Sequence, residues 1–225
     1  MEEQKRKRAK LFSLKYLFHD FVKITATLPG LLWFRPKYVY KSAAAKKKAR
    51  GGVMVIANHI SKVDPVYVMF GVWYRRHHFV AMKELFNGWF LKLLFKGFLC
   101  IPIDRDNFSF SSFKEIVRHL RDGEVVTMFP EGKINEGEDL QAFKSGMVLM
   151  ALKGGAPVLP VYTKKRKNIF RRLVFAIGEP IDLASYYGPK PDSEQIEKLT
   201  GLLFEAEREL ESLADGYGKR KEVKS

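Results

Sequence analysis

Six short apolar runs, at residues 53–57, 79–82, 98–103, 125–129, 157–162 and 173–177, recur along this chain, and stretches of helical period at 66–74, 89–96, 111–121 and 144–153 lie between several of them. Strands that alternate with helices restrict a chain to an α/β sheet with helices packed against it. At 225 residues and 46% apolar content, one sizeable core can be buried and a second folded unit is not needed. A last amphipathic helix is expected at 193–214, followed by a Lys-rich, disordered tail at 215–225. No internal repeat is visible.

The N-terminal segment has a different pattern. On a helix drawn through residues 11–28, Leu11, Leu14, Leu17, Phe18, Phe21, Val22, Ile24 and Leu28 gather on one face. Ser13, Lys15, Tyr16, His19, Asp20, Lys23 and Thr27 take the other, with Phe12 the one misfit. Pro29 and Gly30 predict a break, after which Leu31, Leu32, Trp33 and Phe34 form a short apolar cluster bounded by Arg35 and Lys37. An apolar stripe ordinarily packs on its own domain. The basic flanks at 5–10 and 35–48 point instead to a helix lying in the interface of an anionic membrane. Charged residues interrupt the segment, and no uninterrupted run of about 18 apolar residues occurs, so no simple membrane-crossing helix is expected. Residues 1–41 therefore read as a membrane-associating motif, the Ala-, Lys- and Gly-rich stretch 42–52 as a linker, and 53–214 as the α/β domain.

Forty Lys and Arg against 25 Asp and Glu leave a formal charge of +15, which calls for an acidic partner surface. Nucleic acid is a poor fit, because the aromatic residues cluster in apolar segments rather than alternating with Lys and Arg, and no nucleic-acid-binding module is recognisable. Cys100 stands alone, which excludes an intramolecular disulfide and favours a reducing compartment.

The first strand runs into Asn58-His59-Ile60-Ser61-Lys62-Val63-Asp64-Pro65. Carboxyl ends of strands in an α/β sheet are where sites form, so a His followed five residues later by an Asp is well placed there. A neutral imidazole can take a proton from an alcohol, while a carboxylate on its other nitrogen fixes the tautomer and stabilises the imidazolium. Plainer roles stay open: His59 as a hydrogen-bonded loop residue, and Asp64 before Pro65 as a helix N-cap. No second His or Cys falls at ligand spacing nearby, so no metal is expected, and His77-His78 lies one strand away. Ser61 lacks the G-x-S-x-G elbow of a serine nucleophile and reads as loop packing.

A second stretch, Phe129-Pro130-Glu131-Gly132-Lys133, again closes an apolar run. Gly132 there allows close backbone approach to a ligand, and Lys133 supplies a cation suited to phosphate. Lys83, Arg105 and Lys144 are placed near strand ends in the same way, and such cations can converge on one phosphate, though each alone also reads as a solvated surface charge.

The motif N-H-x-S-x-x-D with His59 and Asp64, Arg105 after Ile101 to Asp104, F-P-E-G at Phe129 to Gly132, and Val158-Leu159-Pro160-Val161 occur in the order and spacing of four blocks of the glycerolipid acyltransferases. Over about residues 50 to 180 the chain resembles that family, most of all its bacterial 1-acylglycerol-3-phosphate acyltransferases, and Lys83-Glu84-Leu85-Phe86 is similar to a further family segment. The resemblance implies a glycerol-phosphate-acyltransferase-like α/β fold, a mixed sheet flanked by helices behind an N-terminal helical pair that sits on the membrane. It implies transfer of a fatty acyl chain from acyl carrier protein or coenzyme A to the second hydroxyl of lysophosphatidate, at the cytoplasmic face of the cell membrane, with no cofactor and no covalent acyl-enzyme. His59 would be the general base and Asp64 its orienting partner, with Lys83, Arg105, Glu131, Gly132, Lys133 and Lys144 around the glycerol phosphate. The chain departs from the family after F-P-E-G, where Lys133-Ile134-Asn135 replaces the usual Thr or Ser followed by Arg. That departure bears on the acceptor head group, leaving other lysophospholipids or glycerol phosphate open, as well as a non-catalytic basic protein on the membrane.

Overall fold

Val53, Met54, Val55, Ile56 and Ala57 carry no polar side chain on either face of the pleat, so a strand made of them has to be covered on both sides. In the computed structural model, which describes residues 14–104, 109–135, 140–166, 171–188 and 190–222, this strand is the middle one of a seven-stranded sheet. The strands are β1 (Lys37–Tyr40), β2 (Val53–Ala57), β3 (His77–Met82), β4 (Ile101–Ile103), β5 (Val125–Met128), β6 (Val158–Lys164) and β7 (Val174–Ile177), in the order β1-β7-β6-β2-β5-β3-β4. β2 to β6 run parallel, while β7 pairs antiparallel with β6 and β1 parallel with β7, so the sheet is mixed. The helices are α1 (Leu14–Phe34), α2 (Asp64–Gly71), α3 (Trp89–Gly97), α4 (Phe110–Arg121), α5 (Gly146–Gly154), α6 (Ala184–Tyr187) and α7 (Ser193–Glu222).

Alternation along β2 divides the core. Met54 and Ile56 meet Ile116 and Leu120 of α4, Met147 and Ala151 of α5, and Leu199 and Leu203 of α7. Val53, Val55 and Ala57 meet Val68 and Phe70 of α2, with Phe34 from the end of α1 packed alongside. Right-handed crossovers place α3 on the same side as α2, because the chain steps in the same direction along the sheet through both.

Several expectations change. The run 98–103 yields strand only at Ile101–Ile103, since Leu99 takes a left-handed φ of 59° that closes α3, and Cys100 N donates back to Phe95 O at 2.9 Å. β1 was not anticipated: Lys37–Tyr40 forms a half-buried edge strand whose Lys and Tyr hid its period. Residues 42–52 are held rather than loose, with Ala45 buried in a 3-10 turn and Arg75 donating to Ala49 O, Gly51 O and Gly123 O. Helix α7 runs through to Glu222, the last described residue, instead of giving way to a disordered tail at 215, and Lys164 Nζ ties its later turns to β6 through Asp215 Oδ1 at 2.8 Å. Nor does the N-terminal segment break at Pro29 and Gly30: among the described residues it is one helix rather than a pair, and it continues to Phe34. The absence of a side chain at Gly30 lets the helix lie on Phe70, whose ring tip is 2.2 Å from where a Cβ would be, and Phe34 packs on the rings of Tyr67 and Phe70. Residues 1–13, including Leu11 and Phe12 of the expected helix, lie outside the described residues.

Helix α1 turns its polar face inward. Tyr16 and His19 are buried, Lys23 Nζ donates to Arg75 O at 2.7 Å, and Asp20 takes the Arg76 guanidinium at 2.8 Å, whereas Leu17, Phe21, Ile24, Leu28 and Leu32 are exposed. The anchor is Glu124, at the foot of β5. Its Oε1 accepts from the Tyr16 hydroxyl at 3.0 Å, while His119 Nδ1 bonds Oε2 and His78 Nε2 lies 3.2 Å from it. Burial alone raises the pKa of this carboxyl, but the hydrogen bonds from His119, His78 and Tyr16 outweigh it and hold the group well below the ordinary carboxylate range. A carboxyl depressed in the folded state adds stability above its unfolded pKa of about 4.3 and loses that contribution as the pH falls. Thermal unfolding measured from about pH 6 down to pH 3 should therefore show a falling midpoint, and Glu124→Gln, which has no carboxyl to protonate, should start lower and fall less steeply.

Candidate active site

Parallel neighbours end at the same edge of a sheet, and β2 and β5 are paired with Ile56 opposite Met128. The chain leaving β2 therefore meets the chain leaving β5. His59 is where they touch. Its ring stacks on Phe129, with centroids 4.2 Å apart and planes 18° from parallel. Its backbone N–H donates to Glu131 Oε1 at 2.9 Å, and its carbonyl accepts from Asn135 N at 2.6 Å. Ring and backbone are thus gripped by one loop from the neighbouring strand.

Asp64 completes the arrangement. Its side chain is fully buried, and Oδ2 lies 2.8 Å from His59 Nδ1 while accepting from Ile60 N at 2.6 Å and Ser61 N at 2.7 Å. The carboxylate thus reaches back into the loop before α2. It makes no N-cap bond to the helix it opens, so the capping role left open by the sequence is not the one it has. Because Asp64 is acceptor-only, the hydrogen of a neutral His59 sits on Nδ1, which leaves the Nε2 lone pair as a base on a side chain that is 18% exposed. The Ser61 hydroxyl accepts from Val63 N at 3.3 Å and belongs to the turn. Burial pushes the Cys100 thiol up to about 12, which removes it as a nucleophile near neutral pH.

The remaining site residues named from the sequence divide. Glu131 is buried and points inward, its second oxygen accepting from Gln141 N at 3.3 Å, so it braces the loop. Gly132 has a φ of 73°, which favours glycine in the turn, and a Cβ there would stand 3.0 Å from Lys144 Cε, so the Lys144 side chain that crosses it would have to shift. Lys144 N also donates to Pro130 O at 3.0 Å, which holds this cation beside the loop. Lys133 is exposed on the same loop. Lys83 pairs with Asp104, where β3 and β4 end, and Arg105 lies outside the described residues.

Some residues of the site were given no role by the sequence. Asn58 ties β2 to β6, donating to Thr163 O at 3.0 Å and accepting from Thr163 N at 2.8 Å. Asn135 and Gln141 are joined at 3.1 Å across the base of the loop. Glu207 of α7 is fully buried, and its carboxyl is pushed well above the ordinary value, first by burial and then by the charge of Glu131.

Among the described residues, one group has donor atoms close enough to surround a metal: His78, His119 and Glu124, all within 4.8 Å of one another. Its hydrogen bonds are already made internally. Arg118 lies 3.1 Å from His119 Nε2 and can only donate, which leaves the imidazole hydrogen on Nδ1 facing Glu124 and no lone pair there for a cation. The group is better described as the clasp of α1.

Residues 38–164 match the family model described as Acyltransferase. Over 172 residues the chain is 30% identical to the 1-acyl-sn-glycerol-3-phosphate acyltransferase of Bacillus subtilis (strain 168), covering 74% of this chain and 85% of that protein. It is 25% identical over 162 residues to the protein of the same name from Borreliella burgdorferi, covering 71% of this chain and 64%, just under two thirds, of that one. Its fold is similar to the crystal structure of the 1-acyl-sn-glycerophosphate (LPA) acyltransferase PlsC from Thermotoga maritima, with a TM-score of 0.62 at 21% identity over 92% of this chain and 82% of the other.

Gly132→Ala should be costlier than Gly155→Ala. Both glycines have a left-handed φ, but the Cβ at 132 also crowds Lys144, while the one at 155 meets nothing within 4 Å. The left-handed conformation alone costs a residue with a Cβ about 1–2 kcal/mol. In a chain of this size each kcal/mol lowers the thermal midpoint by roughly 2–4 °C, so melting curves of the two variants can rank them.

Proposed function

The chain belongs to the acyltransferase family, and we propose from that membership and the His59–Asp64 geometry that it transfers a fatty acyl group from a thioester to the sn-2 hydroxyl of 1-acylglycerol 3-phosphate, forming phosphatidate. The observation that carries the reading is a histidine fixed at ring and backbone, with one nitrogen on a buried carboxylate and the other left as a base.

In this mechanism His59 Nε2 takes the proton of the acceptor hydroxyl as its oxygen attacks the thioester carbonyl. The tetrahedral intermediate collapses with cleavage of the carbon–sulfur bond, and the imidazolium returns its proton to the departing thiolate. Asp64 holds the imidazole and stabilises its charged form. Glu131, Phe129 and Asn135 keep the ring in one orientation, so little reorganisation is needed at the moment of transfer. Lys144, laid across Gly132, is the cation proposed for the acceptor phosphate, with Lys133 on the same loop and Lys83 just after β3, while Arg105, outside the described residues, is proposed from the sequence resemblance alone. Lys144 thereby takes the place of the Arg that Lys133-Ile134-Asn135 lacks.

The enzyme is proposed to sit peripherally on the cytoplasmic face of the membrane, where soluble acyl thioesters reach it. Support comes from the outward apolar faces of α1 (Phe21, Ile24, Trp33) and α3 (Trp89, Phe90, Leu93), all more than half exposed on the same side of the sheet. No helix among the described residues is long and apolar enough to cross a membrane. The basic segment 35–48 beside α1 suits anionic lipid.

Two experiments test this. Phe21→Asp with Ile24→Asp, both pointing outward, should abolish co-sedimentation with anionic vesicles. Phe18 is a worse choice because its ring packs on Phe98. Unchanged sedimentation of the double variant would remove α1 from the interface. For the chemistry, a positioned base supplies about 100- to 10,000-fold in rate, so His59→Ala should lose turnover on that scale while remaining folded. Asp64→Asn, which alters the tautomer and not the shape, should also lose most activity. Wild-type turnover by His59→Ala, in a preparation free of host acyltransferase, would show the mechanism to be wrong.

A further inference from the structure

Helix α4 buries Ile116 and Leu120 against the sheet and presents to solvent a row of another kind. Lys114, Arg118 and Arg121 follow one another at close to one turn each along its outer face, and Lys153 at the end of α5 stands beside them. The two helices come close because Gly154 has no side chain, its missing Cβ falling 2.7 Å from Leu120. Phe110, Phe113 and Val117 line the shallow groove between these cations, with Asp122 as its one carboxylate. Lys114 Nζ sits 4.4 Å over the exposed Phe110 ring, Arg118 reaches Asp122 at 3.6 Å, and Arg121 Nε donates to Lys153 O at 2.9 Å.

Resting on the acyltransferase reading, we propose that the α4–α5 groove is the docking surface for an acidic, helical acyl carrier protein that delivers the thioester. Charge is one reason, since four cations face one carboxylate in the lining. Shape is another. From Lys114 to Arg121 the row extends about 10 Å along an exposed helix, at a rise of about 1.5 Å per residue. Cations spread in a line suit acidic residues spaced along an apposed helix, whereas the clustered phosphates of a nucleotide need cations that converge. The third reason is position. α4 and α5 cover the sheet face opposite α2 and the end of α1, so with the apolar faces of α1 and α3 on a bilayer, this groove faces water and a soluble protein can reach it. Phe110 opens α4 just after the segment that leaves β4, so the groove begins near the edge of the sheet that carries His59.

The test compares two donors with lysophosphatidate as acceptor: palmitoyl-acyl carrier protein and palmitoyl-coenzyme A. Lys114→Glu with Lys153→Glu changes cations outside the candidate active site and the α1 clasp. Rim charges act mainly on the association rate. The double variant should therefore lose about tenfold or more in kcat/KM for the carrier-protein donor, with coenzyme A turnover within about twofold of wild type. Raising salt should weaken the wild-type carrier-protein reaction more than that of the variant. An equal fall with both donors, no fall, or a loss confined to coenzyme A would overturn the proposal. So would single-stranded RNA binding that the variant abolishes while carrier-protein turnover is unchanged, because the groove would then serve nucleic acid. If the wild type uses neither donor, it is the acyltransferase reading that fails. Anisotropy titration of labelled carrier protein against wild type and variant then judges the groove separately, and absence of salt-sensitive binding counts against it.

Discussion

The side-by-side parallel pairing of β2 and β5 is the constraint on which the candidate site depends. With Ile56 opposite Met128, both strands end at one level, and the loops that follow have to share the same small volume. Phe129 then lies flat against His59, Glu131 takes the His59 backbone N–H, and Asn135 takes its carbonyl. A slip of one residue in this pairing would turn every side chain of β2 to the other face and empty both halves of the core. The packing that stabilises the sheet is therefore the same packing that aims the histidine.

β5 is only four residues long, Val125–Met128, and joins two different structures. Below it, Glu124 gathers Tyr16, His78 and His119 and clasps α1 to the domain. Above it, the loop from Phe129 grips His59. The clasp gives α1 its unusual polarity, since polar groups that are paired can be buried while the apolar stripe is left outside. Lys23 shows the same logic: burial pushes its ammonium down to about 8, yet it donates to Arg75 O and lies near Asp20. The two faces of the sheet consequently differ in chemistry, with apolar α1 and α3 on one side and the cationic groove of α4 and α5 on the other.

How readable each element was from the chain follows from its burial. β2 and β5, covered on both faces, show as continuous apolar runs and were placed almost to the residue. β1, a half-buried edge strand, reads Lys-Tyr-Val-Tyr and resembles a flank of the preceding helix. The run 98–103 is apolar throughout, but burial of Leu99 at a left-handed turn uses half of it to close α3. The His59–Asp64 pair was visible because both residues lie on one turn. The role of Asn58, which opens the same motif, was not, since its partner Thr163 is 105 residues away and nothing in either neighbourhood signals the contact. Glu131 was visible as a motif, but its inward direction was not.

The chain by itself determined the α/β class, the placing of His59, Asp64 and the F-P-E-G turn at strand ends, and the two faces of the N-terminal helix, because periodicity and local spacing are properties of neighbours in sequence. Tertiary structure alone decided which face of α1 turns inward and which cations stand together. A helix period counts faces without ranking them. The ranking came from Glu124, Arg76 and the carbonyl of Arg75, which arrive from strand and turn positions far along the chain and pair the polar face of α1 when the sheet closes.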